Sequence, residues 1–214
     1  MRLSLERIIP SPIKDKVGAY DSWVWNQKLA INKGEKVLIQ APSGAGKTML
    51  VHMLYGLRND YIGKINWGVF RMDIVNAEQL SQLRASTVSI VFQDLKLFPS
   101  LTVWENVDIK RRLTDTVTEF DTEQWLGRLG LEDRLNTPVA HLSFGEQQRV
   151  AIVRALSQPF DWLILDEPFT FLDAFNRRKA IALIKQVVDF SGAGLLMASH
   201  DDNDDFKYTR KLLL

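Results

Sequence analysis

Ala41-Pro42-Ser43-Gly44-Ala45-Gly46-Lys47-Thr48 is the stretch whose reading decides the fold. Before it stands a short apolar run, Lys36-Val37-Leu38-Ile39-Gln40, which reads as a buried strand. After it, residues 47–55 read as a helix that stops near Gly56. A glycine-rich turn between a strand and a helix fits the phosphate-loop pattern, with Ala41 in place of its first glycine. Such a loop must turn tightly and point backbone N–H groups at phosphate oxygens. Gly44 and Gly46 can adopt positive φ and leave room for the anion, and the helix N-terminus faces the same charge. Lys47 can reach the β- and γ-phosphates, and the Thr48 hydroxyl can ligate Mg²⁺. Ser43, Ala45 and Met49 complete the loop residues expected against a nucleotide.

Outward from the loop, residues 88–92, 162–165 and 194–198 read as further strands. Residues 174–190 have helical periodicity, with Ile181, Ile184 and Val188 on one stripe. Strands alternating with helices predict an α/β fold with a largely parallel sheet. Residues 2–9 and 20–31 look like extra strands outside those units. Residues 94–140 are polar, lack a strong strand and are expected to form a helical subdomain. Trp162-Leu163-Ile164-Leu165-Asp166-Glu167-Pro168 is an apolar strand ending in two carboxylates. The strand can bury its sides while its C-terminal end faces the phosphates. Asp166 can then hold Mg²⁺ through water, and Glu167 can polarise an attacking water as general base.

Composition agrees with a globular chain. Of 214 residues 46% are hydrophobic and 25% charged, close to ordinary soluble proteins. Lys and Arg number 27 against 26 Asp and Glu, a net charge of +1, which is not the basic footprint of a nucleic-acid binder. The absence of cysteine excludes disulfides and thiolate metal sites. Met1 to Pro10 has no continuous apolar core of the secretory kind. The longest apolar runs fall far short of the ~20 residues needed to span a bilayer, so a membrane connection is expected only through a partner.

Leu142-Ser143-Phe144-Gly145-Glu146-Gln147-Gln148-Arg149 resembles the signature motif of ABC ATPases, which usually reads Leu-Ser-Gly-Gly-Gln followed by Gln-Arg. Residues 150–156 continue that family's typical helix. The strand with Asp166 and Glu167 resembles its second nucleotide motif with the catalytic glutamate. Gln93 resembles the Q-loop residue that senses Mg²⁺, Phe171-Leu172-Asp173 the D-loop, and His200 the switch histidine that contacts the γ-phosphate. The motifs follow the family's order, and the resemblance covers about residues 3–214. It implies a P-loop NTPase with a mainly parallel RecA-like sheet, an N-terminal antiparallel β-subdomain and a helical signature subdomain at about residues 94–158. The whole of residues 1–214 is expected to form one ABC ATPase domain.

The resemblance further implies an ATPase using ATP and Mg²⁺. Two cassettes, in the simplest case a homodimer, sandwich two ATP molecules and drive integral membrane permease subunits from the cytoplasmic face of the membrane. Ser143 and the Gly145 N–H are then expected to hold the γ-phosphate bound opposite, with Asp173 beside them. Phe144 departs from the family's usual glycine. Glu146-Gln147-Gln148-Arg149 is similar to cassettes of the lipoprotein-release and macrolide-export type, as are Gln93-Asp94, Leu97-Phe98-Pro99 and residues 101–107, but amino-acid import cassettes share much of that latter pattern, and a division-type cassette that regulates a membrane partner remains the alternative. No C-terminal regulatory domain is expected after His200, and no nucleic-acid partner.

An adenine-stacking aromatic is expected upstream of the phosphate loop. Tyr20 is chosen over Trp23 and Trp25, which look like alternating residues on a strand. His52 reads as a helix-face residue and His141 as a flank of the signature. Leu95, Leu97, Phe98, Leu101, Val103 and Trp104 form an apolar-rich stretch, expected either to wall a groove for a permease helix or to pack the subdomain.

Overall fold

Strands with residues facing two different apolar layers set the architecture. In β3 (Lys36–Gln40), β7 (Trp162–Asp166) and β8 (Gly194–Ser199), Val37, Ile39, Trp162, Ile164, Leu196 and Ala198 enter one cluster. Leu38, Leu163, Leu165, Leu195 and Met197 enter the other. Strands buried on both faces read as continuous apolar runs, and parallel sheets covered on both sides are built from them. With β6 (Val88–Val91) and β9 (Arg210–Leu213) they form a five-stranded parallel sheet in the order β6-β7-β8-β3-β9. The computed structural model describes residues 1–15, 21–42, 44–202 and 205–214, so Tyr20 and Ser43 lie outside the described residues.

A second, antiparallel sheet covers the first cluster. It comprises β1 (Arg2–Pro10), β2 (Lys28–Asn32), β4 (Tyr61–Trp67) and β5 (Phe70–Arg71), in the order β2-β1-β4-β5. Trp67 and Trp162 join the two sheets, their ring centroids 5.4 Å apart. The Trp67 indole N–H donates to the Leu54 carbonyl (2.8 Å), which satisfies its polar edge inside the core. Between the sheets runs α1 (Lys47–Leu54). The helices α2 (Ala77–Ser86), α3 (Val103–Arg111), α4 (Glu119–Arg128), α5 (Phe144–Leu156) and α6 (Ala174–Ser191) complete the chain. Residues of α3 to α6 pack the second cluster.

Residues 21–31 do not form one strand. The Ser22 hydroxyl accepts from the Val24 and Trp25 N–H groups (3.1 and 2.8 Å), which bends the chain there, and pairing begins only at Lys28. Trp23 and Trp25 therefore do not alternate on a strand: Trp25 is buried in the core and Trp23 is half exposed. The stretch after Gln93 also divides. Leu95 and Val103 are buried, Leu97 and Trp104 pack against the second cluster, and Phe98 stays 50% exposed. Packing thus claims most of that stretch.

A buried guanidinium fixes the turn that follows Gln93. Leu95 and Lys96 both take positive φ (61° and 49°), and their carbonyls accept from Arg154 of α5, each at 2.6 Å. Charge-assisted bonds of this kind are stronger than neutral ones. Arg154→Met keeps the aliphatic stem and leaves two carbonyls without their donor. It should lower unfolding stability by roughly 2–4 kcal/mol, read from urea denaturation; an unchanged midpoint would mean that this turn holds itself.

Candidate functional site

A cavity of about 610 Å³ opens where β3, β6, β7 and β8 end. In open α/β sheets ligands bind at this edge, outside the carboxyl ends of the strands. Gly44, Gly46, Lys47, Thr48 and Met49 form one wall; Gln93, Glu167 and His200 reach in from the ends of three other strands. Gly44 and Gly46 have φ of +80° and +102°, the left-handed region that glycine enters without strain. Gly46 caps α1, so the helix begins directly on Lys47. Ala45 is buried behind the loop.

The charges are tightly placed. The Lys47 ammonium is 8% exposed and donates to the carbonyls of Ala41 (2.6 Å) and Pro42 (3.2 Å). It also stands 3.5 Å from a Glu167 carboxylate oxygen. Glu167 has φ +47°, a region costly for a residue with a side chain. In that conformation its N–H donates to the Ala198 carbonyl (3.0 Å). Its carboxylate lies 3.0 and 3.1 Å from His200 Nδ1. Thr48 donates its hydroxyl to Gln93 Oε1 (3.0 Å), which joins the phosphate loop to the end of β6.

Asp166 lies fully buried at the end of β7, and neither carboxylate oxygen accepts a hydrogen bond. Burial raises its pKa to about 6; Glu167 adds to the rise, and the nearby Thr48 and Lys47 oppose it. An orphaned carboxylate beside a threonine hydroxyl and a glutamine carbonyl oxygen is a set of hard oxygen donors, which fits Mg²⁺. The residues present therefore suit the ion that the phosphate-loop pattern implies.

Several expected residues lie outside this cavity. Ser143 caps α5, and its hydroxyl and N–H both contact the Glu146 carboxylate (2.7 and 2.8 Å). Gly145 packs on the segment at Phe171. Asp173 caps α6 by accepting from the Asn176 N–H at 2.8 Å. Phe144 is 67% exposed and stacks on Phe171, their centroids 5.3 Å apart. Three cavity residues, His52, Arg58 and Thr170, were missed by sequence reasoning. His52 is more than a helix-face residue: it lines the cavity and meets Phe92 edge-on at 6.0 Å. Burial pushes its pKa down. Arg58 is held by Asp60.

Fold and cavity together define a P-loop nucleotide-binding core. The sequence pattern of the ABC transporter family matches residues 24–170. The lipoprotein-releasing system ATP-binding protein LolD of Legionella pneumophila (strain Lens) is 34% identical over 189 residues, 87% of this chain and 83% of that protein. The thiamine import ATP-binding protein ThiQ of Ruegeria sp. (strain TM1040) is 33% identical over 189 residues, covering 86% of this chain and 79% of that protein. The spermidine/putrescine import ATP-binding protein PotA of Protochlamydia amoebophila (strain UWE25) is 33% identical over 82% of this chain, which spans only 46% of its length. A solved dimer of an ATP-binding cassette in a post-hydrolysis state, bound to ADP and Pi, superimposes with a TM-score of 0.84. It is 26% identical, with 99% of this chain and 94% of that one covered. The chain belongs to the ABC transporter family, as one of its ATPase cassettes.

The buried Asp166 carboxylate generates a stability prediction. In EDTA, Asp166→Asn removes an unpartnered buried charge and should stabilise the protein by roughly 1–3 kcal/mol. The variant should also lose most of the thermal stabilisation that MgATP gives the parent. Differential scanning fluorimetry reads both, and a less stable Asn variant in EDTA would contradict the burial cost.

Proposed function

We propose that this chain binds ATP with Mg²⁺ in the cavity and hydrolyses it as one half of a cassette dimer that drives a membrane permease. The observation that carries this reading is the Glu167 carboxylate, which lines the 610 Å³ cavity between the Lys47 ammonium and His200 Nδ1. The loop N–H groups and Lys47 take the β- and γ-phosphates. Glu167 removes a proton from the attacking water, and His200 orients that carboxylate and contacts the γ-phosphate. Thr48, Asp166 and Gln93 would hold Mg²⁺, which supplies charge neutralisation at the phosphates. Buried donors that are in place before the reaction stabilise developing charge better than water does.

Ser143, Gly145 and Asp173 sit on helix N-termini away from the chain's own cavity, as residues serving the nucleotide of a second copy would. The dimeric cassette among the solved relatives supports this arrangement. Among the described residues no helix is long and apolar enough to cross a membrane; in this reading a permease holds the chain at the cytoplasmic face. The exporter or lipoprotein-handling reading rests on Glu146-Gln147-Gln148-Arg149, and the LolD relative is of that kind. The thiamine import relative, with similar coverage, supports an importer cassette as the second reading.

A groove of about 320 Å³ between α2 and α3, lined by Tyr55, Leu80, Ser81, Arg84, Lys110 and Leu113, is our candidate for the site that a permease helix would enter. Burial lowers the Lys110 pKa to about 8, and the neighbouring cations Arg154 and Arg84 push the same way. Its half-exposed Leu113 offers an apolar rim.

Lys47→Ala should remove most ATP binding in calorimetry. Glu167→Gln keeps the shape of the side chain and should lower turnover by ~10²–10⁴, with an ATP-bound dimer persisting in size-exclusion chromatography. Turnover at the parent rate would exclude Glu167 as the base. Leu113→Asp should leave the ATPase of the isolated chain intact and abolish co-purification with its membrane subunit. Retained association would move the docking site elsewhere.

A further inference from the structure

Gln148 is a wholly buried polar side chain that the proposed chemistry does not use. It lies on α5, the helix whose N-cap is Ser143. Its two amide atoms face the segment that carries Glu167. Oε1 accepts from the Phe171 N–H at 3.0 Å, and Nε2 points at the Glu167 carbonyl at 3.5 Å. That carbonyl also accepts from the Thr170 hydroxyl at 3.0 Å. The peptide groups at both ends of residues 167–171 are thus gripped by one side chain from another helix. The fit is close on the same side: a Cβ on Gly145 would stand 2.9 Å from the Phe171 carbonyl oxygen.

The grip matters because Glu167 holds a positive φ of 47°. A non-glycine residue persists there only when its surroundings over-determine it. The N–H of Glu167 is tied to β8 through Ala198 and its carbonyl to Thr170 and Gln148. A change in φ at this residue would swing the carboxylate away from Lys47 and His200.

We propose that Gln148 is a positioning residue for Glu167, its amide bridging the Glu167 carbonyl and the Phe171 N–H so that the left-handed turn keeps the carboxylate aimed into the cavity. The inference rests on the reading of Glu167 as the base. It gives the helix behind Ser143 a direct mechanical link to the chain's own reacting group. A γ-phosphate bound at Ser143 by a second copy would press on the same helix that holds Glu167.

Gln148→Met preserves bulk and removes both polar contacts. In MgATP turnover by the full chain, kcat should fall on the order of 10- to 100-fold, the scale of a misplacement near 1 Å. ATP affinity by calorimetry should stay within about twofold, since the phosphate loop is untouched. In the Glu167→Gln background the same substitution should cause no further fall in single-turnover rate, because both changes act through one group. If Gln148→Met melts too low to assay, Gln148→Glu keeps the bulk and an acceptor for the Phe171 N–H while removing the donor to Glu167. The same split between kcat and affinity is expected of it. Parent-level kcat in either folded variant, alongside an inactive Glu167→Gln, would overturn the positioning role and leave the base intact. A further fall in the Glu167→Gln background would also overturn it, by placing the action of Gln148 elsewhere. Parent-level turnover of Glu167→Gln itself would instead sink the reading beneath both.

Discussion

The Lys47 ammonium is the charge around which the site is arranged. It is nearly buried, and a buried cation is tolerated only when its donors are met. Two carbonyls of its own loop and the Glu167 carboxylate meet them. Wrapping a loop so that its carbonyls turn back on a lysine at its own end demands the left-handed Gly44 and Gly46. Within that wrap the Ala45 N–H donates to the Pro42 carbonyl at 3.3 Å. Opposite the single ammonium stand two carboxylates, Glu167 and the fully buried Asp166. The orphaned Asp166 carboxylate suits a cation, while the N-terminus of α1, which begins on Lys47 at the cavity wall, suits an anion. A magnesium–nucleotide complex answers both demands at once.

The geometry of that floor depends on α5. Gln148 grips the turn after β7, and Arg154 grips the turn after β6. Six residues apart on a helix, the two side chains are separated by about 9 Å along its axis. One rigid element therefore holds both Gln93 and Glu167 in register with the phosphate loop. The Ser89 hydroxyl, which donates to the Ala155 carbonyl at 2.6 Å, fastens the helix back onto the sheet.

What could be read in the sequence follows burial. β3, β6, β7 and β8 are buried on both faces, and their apolar runs are unambiguous. β4, β5 and β9 carry charged or exposed residues and were not anticipated. α2 buries only Leu83, so it lacks an apolar stripe. Its capping box between Asn76 and Gln79 was the available signal. The bend at Ser22 defeated the strand expected over residues 20–31, because a hydroxyl serving two N–H groups outcompeted ladder pairing. In the site, the loop and strand-end residues were legible because their spacing encodes their placement. His52, Arg58 and Thr170 were not. They come to the cavity through the path of the chain, and no local pattern announces that. Gln148 stood in plain view within the signature, but its partners are 19 and 23 residues downstream.

The N-terminus of α5 is already occupied. Glu146 reaches back to the Ser143 hydroxyl and N–H, and that contact holds its carboxyl below the usual range. A helix start normally offers an incoming anion a field of about half a positive charge; here a carboxylate has quenched it. A phosphate arriving at this end would therefore exchange with the Glu146 carboxylate at Ser143 rather than simply add. Such an exchange favours a multiply charged oxyanion over a singly charged one. It also resists casual occupancy by the monovalent anions of the surrounding solution.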